Sequence, residues 1–328
     1  MSLEPRIAER LAASGARIVV TGAGGWLGMA SLELLKAALG EDFERRTACF
    51  GSRRRALRLS DGTMIEQQPL EVLAALERRP TIVLHLAFLT KDRAEAMDEQ
   101  AYASECRRIG ETLLGALDAI GAEALFLASS GAARFADDPA AAPAMRLYGR
   151  LKREDEERFA DWAGRTGKRA VIARIFNLSG PHINKHGSYA LASFILDALA
   201  GRPITVRAGH PVVRGYVAIR ELMSLALALL LEPGGGVVRF DSGGEPVELG
   251  ELAEAVRSAI GGGPVERPAM AGAADHYAGD EAAYRALLAS QGITSVPLPA
   301  QIAETAEFLG DFQPLSSPNR VEMGAQPC

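Results

Sequence analysis

The stretch "RIVVTGAGGWLG", beginning at Arg17, constrains this chain more than any other. A short run of apolar, β-branched residues stops at glycine, as a buried strand does. Gly22, Gly25 and Gly28 follow at intervals of three, and "WLGMASLELLKAAL" then carries apolar residues at helical spacing. A tight turn from strand to helix leaves backbone N–H groups at the helix N-terminus, which is partly positive and favours a pyrophosphate. Side chains would block the approach, so glycine belongs both at the turn and where helix meets sheet. The stretch therefore predicts a dinucleotide-binding loop.

The rest of the chain repeats the same alternation. Residues 5–13 predict a leading helix. "TACF", "TIVLHLA", "EALFLASS" and "RAVIARIFN" read as strands, and a long helical region runs from about Arg93 to Ile120. "YGRLKREDEERFADWAGRTG" reads as a helix with a charged outer face. Strands alternating with helices predict a doubly wound, Rossmann-like parallel sheet of the α/β class. Past about residue 180 the texture changes to short strand-like pieces and glycine turns. The expected organisation is a dinucleotide-binding domain over residues 1–180, with parts of later segments returning to it. A smaller α/β substrate-binding lobe covers mainly 181–312, and an aperiodic tail covers 313–328.

Composition excludes several classes. The formal net charge of −5 argues against a nucleic-acid partner. Cys49, Cys106 and Cys328 lack metal-ligand spacing, so no metal site is expected, and the odd count suits a reducing compartment. The apolar run "LMSLALALLL" from Leu222 is far shorter than a membrane span and predicts a buried helix. The opening residues lack a signal-peptide core. A cytoplasmic protein without membrane contact is expected.

Tyr148 and Lys152 in "YGRLK" stand four apart, on one face of a helix. A free tyrosine is a poor acid–base at neutral pH, and a nearby ammonium lowers its pKa. The pair can then exchange a proton with a carbonyl or alcohol. Ser129 and Ser130 end the preceding strand and offer a hydroxyl.

The T-G-x-x-G-x-x-G loop, the Y-x-x-x-K pair and their order resemble the extended short-chain dehydrogenase/reductase superfamily, the nucleotide-sugar epimerases, dehydratases and reductases. The resemblance runs over roughly residues 16–260. It implies Ser130, Tyr148 and Lys152 as the catalytic set, although "SSGAARFA" departs from the family pattern and another register would put Gly131 at the serine position. It implies cofactor contacts from Gly22, Gly25, Trp26, Leu27 and Gly28, and from Leu86 and Ala87 in "HLAFLT". Tyr148 and Lys152 also face the nicotinamide side, as does the backbone near Phe176. "RIFNLSGP" resembles the family's arginine–x–x–asparagine–x–x–glycine–proline segment, so Asn177 is expected at the sugar. Arg214 and Tyr216 stand where the family has its arginine–aspartate–tyrosine triplet, and Arg214 suits a diphosphate. His85 is read as structural. Cys106 stands where the family usually has asparagine. Gln67 and Gln68 replace an aspartate near the adenine, and Gln68 is the chosen candidate.

The second strand ends without the acid that would hold an adenosine ribose. It continues as "CFGSRRR", where Ser52 and Arg53, helped by Arg54, suit a 2′-phosphate. NADP(H) is therefore favoured over NAD(H). Gly131, Ala132 and Ala133 stand where the family's dehydratases keep an acid pair, which argues against a sugar 4,6-dehydratase. The expectation is an NADP(H)-dependent oxidoreductase that reduces a 4-keto-deoxysugar on a nucleotide, with a homodimer as the default assembly. The alternatives are an epimerase and, outside enzymes, an NADP(H)-sensing regulator.

Overall fold

The computed structural model describes residues 1–311; the expected tail at 313–328 lies outside them. The chain opens with α1 (Pro5–Ala13), β1 (Arg17–Thr21), α2 (Trp26–Leu39), α3 (Phe43–Arg46), β2 (Thr47–Gly51) and the hairpin of β3 (Arg55–Arg58) and β4 (Met64–Pro69). Next come β5 (Thr81–His85), α4 (Lys91–Ala96), α5 (Glu99–Ile120), β6 (Ala122–Ser130), α6 (Pro143–Thr166), β7 (Arg169–Ile175) and β8 (Asn177–Ser179). Then follow α7 (Ala190–Leu199), β9 (Ile204–Thr205), β10 (Val212–Ala218), α8 (Ile219–Leu230) and β11 (Gly236–Asp241). The described chain closes with β12 (Pro246–Glu248), α9 (Leu249–Ile260), β13 (Val265–Glu266), β14 (Asp275–Tyr277), α10 (Glu281–Ser290) and α11 (Leu298–Asp311).

Eight strands form one sheet in the order β11-β7-β6-β5-β1-β2-β4-β3, parallel except for the β3–β4 pair. Alternation along the strands fills both faces. Ile18, Val20, Leu84 and Phe126 meet α1, α2 and α8 on one side, in a core with Leu32, Leu35, Leu222 and Leu225. Val19, Val83, Leu125 and Leu127 meet α5 and α6 on the other, with Leu113, Leu117, Phe159 and Trp162. This is the expected Rossmann-like α/β architecture. The strand order reverses at β1, and a ligand crevice belongs above such a switch point, at the carboxyl ends of β1 and β5.

A third core joins α7, α9 and α11 through Phe194, Ile195, Leu252, Val256, Ile302 and Leu309. Beside it β10 pairs with β8, β12 and β14. After entering this part the chain returns to the main sheet. The helix α8, read from "LMSLALALLL", is buried against the main sheet, and β11 pairs with β7 as its edge strand.

Three local differences from the sequence expectations have simple causes. The helical region before Ile120 is broken after Ala96, because Asp98 caps a new helix by accepting from the Ala101 N–H. The helix α6 begins at Pro143, five residues before Tyr148, with proline in its first turn. The third arginine of "GSRRR" opens β3, which folds back on β4.

Candidate functional site

Above the switch point the turn is built from backbone alone. Gly22 has φ +73°, and its N–H donates to the Phe50 carbonyl at 2.9 Å. A Cβ on Gly22 would lie 2.7 Å from the Ala87 nitrogen, so the loop presses against the end of β5. Gly25 caps α2 with no side-chain hydrogen bond, leaving the helix N–H groups for a ligand. A Cβ on Gly28 would meet the carbonyl oxygens of Gly22 and Ala23 at 2.3 and 2.5 Å. The three glycines of the motif thus make a cradle that side chains would fill.

A cavity of about 270 Å³ opens from this cradle, lined by Gly22, Gly25, Ser52, Arg55, Gln67 and Leu86 among others. Ala87 also lines it. Arg53 and Gln68 do not. In their place stand Arg55 and Gln67, because side chains alternate along β4 and the β3–β4 hairpin turns Arg55 toward the loop. Gln67 is buried; its Oε1 accepts from the Gly24 N–H at 3.1 Å and its Nε2 donates to the Arg53 carbonyl at 2.9 Å. The Arg55 guanidinium occupies the space a side chain on Gly24 would take. No carboxylate pairs with it among the described residues, whereas Arg54 is paired with Glu66. The acids lining the cavity, Glu71 and Glu105, are both engaged by Arg108. Trp26 turns away, donating to the Pro181 carbonyl at 2.9 Å and packing edge-on against Tyr189, while Leu27 packs on the main core.

At the end of β6 the two serines divide. The Ser129 hydroxyl donates to Glu156, which also holds the Arg174 guanidinium at 2.7 Å. Ser130 caps the turn that follows, with its Oγ accepting from the Ala132 N–H at 3.2 Å. A side chain on Gly131 would strike the Phe176 ring. Ser130 is therefore the hydroxyl left beside α6.

Tyr148 and Lys152 stand one turn apart on α6. The Lys152 Nζ donates to the Ala128 carbonyl at 2.8 Å and sits 3.9 Å from the centroid of the Phe88 ring. Phe88 also packs edge-on against Tyr148, with centroids 5.6 Å apart, so one ring seats both members of the pair. Burial pulls the Lys152 ammonium down to about 8. Burial pushes the Tyr148 phenol well above its ordinary range, Tyr277 adds to this, and Ser130 eases it back. His85 is buried behind them with its Nδ1 2.7 Å from the Thr21 hydroxyl, and desolvation lowers it to about 3, so it stays neutral.

The far side of the site comes from β8, β10 and β14. Tyr277, which the sequence did not single out, lies with its hydroxyl 3.4 Å from the Ser130 Oγ. Its ring packs on Phe176 and Phe135, and its carbonyl accepts from Asn177 at 3.3 Å. Arg214 stands beside Tyr277 on the neighbouring strand, paired with Asp275 at 2.7 Å. A cleft of about 390 Å³ is lined by Phe135, Met145, Arg214 and Tyr277 among others. Tyr216 is buried in the third core, with its ring edge-on to Tyr189. Among the described residues no His, Cys, Asp and Glu cluster could hold a metal ion, and no helix is long and apolar enough to cross a membrane.

The sequence model of the NAD dependent epimerase/dehydratase family matches residues 18–240. UDP-glucuronic acid decarboxylase 5 of Arabidopsis thaliana is 29% identical over 113 residues, 34% of this chain and 33% of that protein. The match thus spans about a third of the relative's length. Among solved structures, the UDP-glucose 4-epimerase of Thermotoga maritima with UDP-glucose superposes with a TM-score of 0.66 at 20% identity, covering 90% of this chain and 99% of that one. The UDP-glucose 4-epimerase of Thermus thermophilus, in complex with NAD, gives 0.61 at 24% identity over 89% and 98%. At these identities the likeness is one of fold.

Proposed function

The chain belongs to the NAD dependent epimerase/dehydratase family, a family of extended short-chain dehydrogenase/reductase enzymes, and from that membership we propose that it is an NADP(H)-dependent oxidoreductase which reduces the 4-keto group of a nucleotide-linked deoxysugar. The observation that carries the cofactor preference is Arg55. It is a guanidinium without a carboxylate partner among the described residues, lying over the glycine turn beside Ser52, where no acid ends β2. Such a fork can hold a 2′-phosphate through two charge-assisted hydrogen bonds. This moves the phosphate-binding assignment from Arg53 to Arg55, and the adenine-side amide from Gln68 to Gln67.

The glycine cradle fits a pyrophosphate on the α2 N-terminus, and the bound nicotinamide would supply the hydride. The remaining chemistry falls to this chain's side chains. Ser130 orients the substrate oxygen, and Tyr148 gives it the phenolic proton. The Lys152 ammonium stabilises the phenolate left behind, which burial alone would oppose. Arg214 and Asn177 take the diphosphate and sugar. The turn after Ser130 is Gly131, Ala132 and Ala133, all buried and without an acid, which supports a reductase over a dehydratase. Residues 1–180, with α8 and β11, are assigned to the cofactor domain, and most of the later chain to the substrate lobe.

An epimerase is the second reading, favoured by the fold shared with the two epimerases above. Denaturing the purified protein and identifying any nicotinamide it releases separates the two. Stoichiometric NAD would favour the epimerase, which regenerates its own cofactor, and sink the reductase. Exchangeable NADP(H), followed by turnover of 4-keto nucleotide sugars with NADPH, would support the reductase.

A further inference from the structure

Lys152 presents an electrostatic problem that the proposed mechanism does not solve. Lys152 is 5% exposed, and among the described residues its ammonium donates one hydrogen bond, to a neutral carbonyl. A buried ammonium without a counter-charge tends to lose its proton, and the proton would be lost where the phenolate of Tyr148 needs a cation. The groups that face it are few. From α6 come Tyr148, Asp155 and Glu156; from α5, Cys106; from β5, His85; and from β6, the Ala128 carbonyl, while Arg158 of α6 reaches the group through its pair with Asp155. His85 is neutral, and burial raises the Cys106 thiol, so neither carries charge at neutral pH. Glu156 is taken up by Arg174 and Ser129.

Asp155 is different. It lies three residues after Lys152 on the buried face of α6 and is 2% exposed. One carboxylate oxygen pairs with Arg158, and both press on Gly110 of α5, where a Cβ would lie 2.7 Å from the Asp155 Oδ1. The other oxygen, Oδ2, is buried with no hydrogen-bond partner among the described residues, and so is the His85 Nε2. Two orphaned polar atoms near a buried ammonium mark a place for an ordered water.

We propose that Asp155 is a positioning residue for Lys152: its uncommitted oxygen, directly or through one water, keeps the ammonium charged and held against Ala128 and the Phe88 ring. The inference rests on the reading of Lys152 as partner of Tyr148. Gly110 belongs to the same device, since a larger residue there would displace the Asp155–Arg158 pair. The Arg158 guanidinium works against Asp155, because it takes half of the carboxylate.

The test follows the Lys152 proton in the cofactor-free protein, by NMR of ¹³Cε-labelled lysine, with the signal assigned by its loss in Lys152→Met. The other lysines, Lys36, Lys91, Lys168 and Lys185, serve as internal references. In Asp155→Asn the midpoint of Lys152 should fall by about one pH unit or more. In Arg158→Gln it should rise, because the freed oxygen turns to Lys152. The alkaline limb of kcat/KM should move with the midpoint, a coupling that loss of packing would not produce. A folded Asp155→Asn protein with an unmoved midpoint overturns the proposal. Should that variant fail to fold, Arg158→Gln decides alone, and an unmoved or lowered midpoint there overturns it. No substrate or cofactor enters the titration, so this outcome is independent of which reaction the enzyme performs.

Discussion

The hydroxyls of Ser130 and Tyr277 lie 3.4 Å apart, although the two residues are 147 positions apart in sequence. The second phenol therefore stands at the same oxygen that Ser130 and Tyr148 are proposed to hold. Tyr277→Phe keeps the ring that packs on Phe135 and Phe176 and removes one donor. It should lower kcat by about tenfold, the effect of one hydrogen bond, with nicotinamide affinity unchanged. Tyr148→Phe should abolish turnover. Steady-state kinetics on a 4-keto nucleotide sugar with NADPH would check both, and an unaltered kcat in Tyr277→Phe would reduce that phenol to packing.

Arg55→Ala removes the guanidinium over the glycine turn, which has no carboxylate partner among the described residues. Loss of a charge-assisted contact to a 2′-phosphate should weaken NADPH binding by about 10- to 100-fold and leave NADH binding nearly unchanged. Arg53→Ala, outside the cavity, should change neither. Fluorescence titration with the two nucleotides reads the difference, and equal losses for both would mean that Arg55 holds something the two share.

The central strands β1, β5, β6 and β7 were legible because they are largely buried on both faces and so read as short apolar runs between amphipathic helices, whereas the more exposed hairpin of β3 and β4 was not. The glycine spacing and the Tyr148/Lys152 pair survive in sequence because local geometry demands them. What was illegible came from distant pairing. That Arg55 and Gln67, rather than Arg53 and Gln68, line the cavity depends on a hairpin register that no composition encodes. Tyr277 sits in "GAADHYAGD", which has no period to mark it, and only the pairing of β14 with β10 carries it to Ser130. The division between Ser129 and Ser130 likewise waits on the Glu156–Arg174 pair.

Two glycines should respond oppositely to the same substitution. A Cβ on Gly28 would lie 2.3 Å from the Gly22 carbonyl, so Gly28→Ala must push α2 off the loop. It should cost about 1–3 kcal/mol and the dinucleotide with it. Gly115 is exposed within α5, with nothing within 4 Å of an added methyl. Gly115→Ala should stabilise the protein by about 0.5–1 kcal/mol. Thermal unfolding with and without nicotinamide dinucleotide distinguishes them.

The buried His85 and Asp155 should oppose each other in acid. His85 is held neutral in the fold, at about 3 against about 6.5 when unfolded, so the unfolded chain binds the extra proton and stability is lost as pH falls below 6.5. Asp155 is raised to about 6 by burial against about 4 when unfolded, so the folded chain binds the extra proton and stability is gained as pH falls from 6 to 4. Between these limits the two slopes cancel. His85→Asn removes only the losing half, and Asp155→Asn only the gaining half. From pH 6.5 to 4.5, His85→Asn should therefore lose about 2 kcal/mol less than the wild type, and Asp155→Asn about 2 kcal/mol more. Urea unfolding of the three proteins at both pH values measures this. Parallel pH dependences in all three would show that neither group keeps its shifted proton in solution.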